Sequence, residues 1–119
     1  MADEITLSIN LTVNSSLYTP GQKSHTVQID QTTFSGHETV QSIGTTVEAL
    51  TEGDITSPGV FWMRNLDPSN FVTIGGTTDS LPFKLKAGEI GCLRRGTTDS
   101  LYAKADTAEV KLWHFLLSD

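Results

Sequence analysis

Any chemistry in this chain would have to come from His25, His37 and His114, from Cys92, and from scattered carboxylates. Structural and catalytic metal sites draw on closely spaced ligands. Neither His-x-His nor His-x-x-x-His occurs here, so no metal ligands are expected. A nucleophile needs a base beside a Ser or Cys. The serines fall in turns, no Gly-x-Ser-x-Gly elbow is present, and Cys92 sits in the apolar run Ile90-Gly91-Cys92-Leu93. There it reads as a small buried hydrophobe. Asp54, Asp67, Asp79, Glu89 and Asp99 are the candidates for a glycosidase carboxylate pair. Turn capping explains them better. No phosphate-cradling glycine loop and no dinucleotide fingerprint are found. The chain is therefore expected to have no catalytic residues and no cofactor, and not to be an enzyme. His114 shares a strand face with Leu112 and Leu116, which predicts a hydrogen-bonded, partly buried side chain.

The whole chain sets the bounds. Its 119 residues predict one domain over 1–119, with residues 1–4 as a flexible tail. The net charge of −6 argues against binding to a phosphate backbone, so no nucleic-acid partner is expected. Arg94-Arg95 forms a small basic spot that reads as a solvated strand end. A single cysteine excludes an internal disulfide. No apolar run approaches the roughly 20 residues of a membrane-spanning helix, and no membrane partner is expected. The acidic start Met1-Ala2-Asp3-Glu4 lacks the apolar core of a secretion signal, which predicts synthesis in the cytoplasm.

The elements read as strands. Ile5 to Val13 alternates strictly between apolar and polar, the pattern of a long strand with one wet face. Its length exposes an edge, which predicts pairing on both sides or with another chain. Tyr18-Thr19-Pro20-Gly21-Gln22 is a turn and Thr26 to Ile29 a second strand. Phe34 is a candidate anchor. Glu38 to Gly44 and Thr46 to Leu50 follow, the latter compatible with a helical turn as well. Val60 to Leu66 is apolar on both faces. Asp67-Pro68-Ser69-Asn70 and Lys86-Ala87-Gly88-Glu89 are turns by residue chemistry. Short strands at Phe71–Ile74, Pro82–Leu85, Ile90–Arg95, Leu101–Lys104 and Val110–Leu117 complete the chain. About 8–10 short strands predict an all-β, antiparallel β-sandwich of jelly-roll type, with a distorted Greek-key sandwich as the alternative.

Two surfaces stand out. On the last strand, Val110, Leu112 and Leu116 face one way and Trp113, Phe115 and Leu117 the other. Likewise Phe61 and Met63 lie opposite Val60 and Trp62. One set on each strand fills the core. Phe61, Met63, Trp113, Phe115 and Leu117 are the candidates for a subunit interface. The second surface is a repeat: Gly76-Thr77-Thr78-Asp79-Ser80-Leu81 recurs as Gly96-Thr97-Thr98-Asp99-Ser100-Leu101. Counting strand directions places both loops at one end of the body. Thr77, Thr78, Asp79, Thr97, Thr98 and Asp99 are then candidates for one polar patch. Trp62 and Trp113 also admit a sugar-stacking platform, against the plainer role of core filler.

The segments Val60-Phe61-Trp62-Met63-Arg64-Asn65-Leu66-Asp67, Asn70 to Gly75, Leu85 to Glu89, Leu93-Arg94, Leu101 to Ala108 and Val110-Lys111-Leu112 resemble small all-β virion proteins of tailed bacteriophages. The resemblance covers about half the chain and rests on turn-and-strand signatures. It implies a structural role in the particle: a capsid decoration (cement) protein, or a head or tail accessory component. It implies no catalytic residues. It further implies a homo-oligomer, a trimer first, that contacts the major capsid protein or another virion protein, with the capsid surface as the first location within the virion. A carbohydrate- or receptor-binding β-sandwich is the reading from a different class.

Overall fold

The computed structural model describes residues 4–13, 21–32, 35–55, 57–96 and 100–119. The chain divides into two compact units, Met1–Thr32 and Thr33–Asp119. The single sandwich expected over 1–119 is thus confined to the second unit. Tyr18–Pro20 of the first expected turn, and Phe34, lie outside the described residues.

The first unit is a two-stranded antiparallel ribbon of β1 (Ile5–Val13) and β2 (Gly21–Ile29). Its register runs from Ile5 opposite Ile29 to Val13 opposite Gly21. Directly opposed residues share a face. One face therefore carries Ile5, Leu7, Ile9, Leu11 and Val13 with Lys23, His25, Val27 and Ile29. The other is polar, with Thr6 donating to Gln28 (2.6 Å) and Ser8 bonded to Thr26 (3.0 Å). Among the described residues β1 pairs with β2 alone, not on both sides as its length suggests.

The second unit has eight strands: β3 (Gly36–Ile43), β4 (Glu48–Ala49), β5 (Pro58–Asn65), β6 (Val72–Gly75), β7 (Phe83–Leu85), β8 (Ile90–Arg94), β9 (Tyr102–Ala105) and β10 (Val110–Ser118). They form two four-stranded sheets, β3-β10-β5-β8 and β4-β9-β6-β7, with all pairings antiparallel. The pairs nest: β3 with β10, β4 with β9, β5 with β8, β6 with β7. This is one long antiparallel ribbon wound into a sandwich, the jelly-roll arrangement. Residues 46–50, open to a helical reading, carry the short β4, and Leu50 N–H donates to the Leu101 carbonyl (2.8 Å).

The core lies between the two sheets. Ile43, Phe61, Met63, Val110, Leu112 and Leu116 come from one, and Val72, Ile74, Ala103 and Ala105 from the other. The turns follow their residue chemistry. Gly88 takes φ +79°, a conformation open to glycine, and Glu89 N–H closes the turn on the Lys86 carbonyl (3.0 Å). The Asp67 carboxylate accepts from the N–H groups of Asn70 (2.6 Å) and Ser69 (3.0 Å). These backbone bonds hold its carboxyl below the usual range.

One buried polar residue ties three segments together. Asn65 is fully buried at the end of β5. Its Nδ2 donates to the carbonyls of Asn70 (2.9 Å) and Leu85 (3.0 Å), and its Oδ1 accepts from Asp67 N–H (2.9 Å). Each such bond contributes about 1 kcal/mol net, and orphaned partners cost more. Asn65→Ala is expected to lower the unfolding free energy by about 2–4 kcal/mol. A lower urea midpoint at unchanged slope checks it.

Candidate functional site

The sheet β3-β10-β5-β8 has an inner and an outer face, and register decides which residue lies on which. Leu116 opposes Phe61 and His114 opposes Met63. Phe61 and Met63 therefore share the inner face with Leu112 and Leu116. They are 1% and 8% exposed and belong to the core. As candidates for a subunit interface they are corrected: the outer face of β5 is the one with Trp62 and Arg64, on which Val60 is itself buried.

The outer face is built in rows across four strands. Val40, Trp113, Arg64 and Ile90 form one row. Glu38, Phe115, Trp62 and Cys92 form the next. Leu117 continues the face beside Gly36. Trp62, Trp113, Phe115 and Leu117 are half-buried, while Val40 and Ile90 are exposed. Trp113 Nε1 donates to Glu38 Oε2 (2.9 Å), which anchors the indole edge-on to its neighbour strand. The Cys92 thiol is half-buried here rather than in the core, and burial pushes its pKa up, away from the thiolate that a nucleophile needs. Three of the five interface candidates, Trp113, Phe115 and Leu117, thus lie together on one apolar face.

The repeat loops meet differently. Thr77, Thr78 and Asp79 are exposed in the tight connection between β6 and β7, where Thr77 bridges Ser80. Thr97, Thr98 and Asp99 lie outside the described residues. The flanking Gly76, Thr77, Gly96 and Ser100 border a single cleft of about 640 Å³. Its walls are Phe61, Met63, Ile74, Leu85, Leu93 and Leu101. The ends of both copies therefore converge on an apolar cleft. The basic pair separates as well. Arg94 is exposed and pairs with Asp119 (2.6 Å). Arg95 is not a solvated strand end: its side chain is 5% exposed and pairs with Glu52.

Among the described residues, His114 is the one strongly perturbed titratable group. It is fully buried, stacked on Phe61 with ring centroids 5.5 Å apart. Gln41 Oε1 already accepts from Thr51 N–H (3.0 Å) and the Thr51 hydroxyl (3.2 Å), and lies 3.1 Å from His114 Nε2. With Nε2 as the donor, Nδ1 is left a bare acceptor, without a partner among the described residues. Protonating Nδ1 would bury a charge with no acceptor. Burial first, and His37 second, lower the pKa from 6.5 to about 4. The ring is a neutral structural group with no nucleophile against it. No cluster of metal-ligating side chains exists among the described residues, and none of their helices is long and apolar enough to cross a membrane.

The titration has a consequence for stability. The unfolded chain binds the His114 proton more tightly than the folded one between pH 6.5 and about 4. Stability is full above 6.5 and falls as pH drops through that window, by about 3 kcal/mol. Below about 4 this contribution no longer changes. His114→Phe is expected to remove this slope from urea midpoints measured between pH 7 and about 4. Compared with known proteins, the chain matches no family model, no curated protein and no solved structure.

Proposed function

We propose that the protein is a non-enzymatic structural component of a tailed-phage virion, a capsid decoration protein that oligomerises and reinforces the shell. The observation that carries this reading is the β1–β2 ribbon. It is a unit of its own, two strands wide, with a mainly apolar face that Lys23 and His25 interrupt. Ile9, Leu11 and Val27 on that face are 49%, 58% and 49% exposed. A lone two-stranded ribbon is marginal in water, and exposed apolar patches of this kind mark contact surfaces. The occupant is a neighbouring subunit of the shell, which covers the apolar face or extends the ribbon along its free edge.

Two further features support the reading. The outer face with Trp62, Trp113, Phe115 and Leu117 offers a second contact, suited to a copy of the same chain in a closed oligomer. The net charge of −6 suits an outer surface better than one facing packaged DNA. A head or tail accessory protein would use the same two surfaces. The half-buried tryptophans favour one reading of another class, a glycan-binding sandwich; a saturable tryptophan fluorescence shift with glycans would select it.

Light scattering at low micromolar concentration is expected to give a discrete trimer for the full chain. Leu11→Asp with Val27→Asp should leave the circular dichroism of the sandwich unchanged and abolish sedimentation with assembled capsids. Equal sedimentation of this variant and the parent chain would overturn the role of the ribbon. A parent chain that stays in the supernatant would overturn the decoration reading.

A further inference from the structure

The cleft beside β7 and β8 is not needed for the surfaces proposed above, and its chemistry is of a different kind. It lies at the edge of the sandwich where the strands are short: three residues in β7 and five in β8. The inward-facing positions there are Phe83, Leu85 and Leu93, with Gly91 opposite Met63 the one without a side chain. Gly76 and Gly96 border the opening. Between these short strands lies a cleft of about 640 Å³, within the range of small-ligand sites. Leu93 and Phe83 hold an apolar mouth, at 61% and 58% exposed.

The charges around it are one-sided. Lys84, Arg94 and Arg95 border the cleft, and no acidic residue does among those described, in a chain of net charge −6. Lys84 Nζ sits over the Phe71 ring at 4.3 Å, and Arg94 is paired with Asp119. Arg95 differs. Its Nη1 is bonded to Glu52, its side chain is 5% exposed, and its Nη2 is buried without a partner among the described residues. A buried charged donor left unmade is costly, and an arriving anion that accepts from it recovers that cost.

We propose that this cleft is a binding site for a small amphiphile with an anionic carboxylate head and an apolar tail. The tail lies against Phe61, Met63, Leu85, Leu93 and Leu101. The carboxylate accepts from Arg95 at the Gly96 end of β8. Glu52 holds the guanidinium in place and leaves one edge for the ligand.

Sodium decanoate is the probe, with decanol as its uncharged counterpart, titrated by calorimetry into the full chain. Decanoate is expected to saturate at a single site, with decanol weaker by about tenfold or more. Arg95→Gln with Glu52→Gln removes both charges of the pair without stranding either. It is expected to weaken decanoate by about tenfold and leave decanol unchanged. If that variant fails to fold, Leu93→Asp places a like charge at the exposed mouth and should weaken decanoate similarly. Non-saturable decanoate binding, decanol as tight as decanoate, or full decanoate affinity in the variant that folds would each overturn the proposal.

Discussion

Strand β10 is hydrogen-bonded on both sides, to β3 over Val110–Leu117 and to β5 over most of the same length. The rest of the second unit depends on this double pairing. It fixes which residues of three strands share a face, since directly opposed side chains point the same way. Leu112 and Leu116 are wholly buried, and with them Phe61 and Ile43 are drawn inward. The outer face then has no freedom left: Trp113, Phe115 and Leu117 must stand beside Trp62 and Val40. A one-residue slip of β10 would exchange the two faces entirely.

The interior is not purely apolar, and its polar groups act as registers. Asn65 closes one end of the sandwich by bonding to backbone on the 66–70 turn and on β7. Gln41 does the same at the other edge. It donates to Glu48 and the Ala49 carbonyl, accepts from Thr51, and meets His114. An amide that bonds in every direction, buried as Asn65 or partly buried as Gln41, tolerates few alternative arrangements. These contacts hold the two-residue β4, which its own backbone ladder could scarcely secure. The bare Nδ1 of His114 and the lone Nη2 of Arg95 are the unsatisfied side-chain groups of this unit among the described residues. The first is met by neutrality of the ring, the second by the anion assigned to the cleft.

The two units divide the surface physics between them. The sandwich buries its densest apolar strands against each other and keeps one sheet face half-covered. In the ribbon, alternation sets Ile9, Leu11 and Val27 as a half-exposed apolar stripe, interrupted by Lys23 and His25. Such a stripe is a liability for a free protein and an asset for one that assembles.

Strand alternation was legible along the chain, because period-two patterning is local and needs no partner. The all-β class, the turns at Asp67–Asn70 and Lys86–Glu89, and the two-faced character of Val60–Leu66 and Val110–Leu117 followed from it. The hydrogen-bonded state of His114 was expected as well, though it is fully buried where only partial burial was expected. Alternation separates faces but does not say which one looks inward. For Phe61 and Met63 that depended on the register with β10, a contact between residues some fifty positions apart. The same limit applies to Arg95: its neighbour Arg94 has the same type and is exposed, yet the chain end of β8 turns Arg95 under Glu52. Asn65 and Gln41 carry no sequence mark, since an amide reads alike in a turn and in a core. The nested strand order, the division of the chain into two units, and the cleft beside β7 and β8 were decided by tertiary pairing alone, because each arises from distant segments meeting.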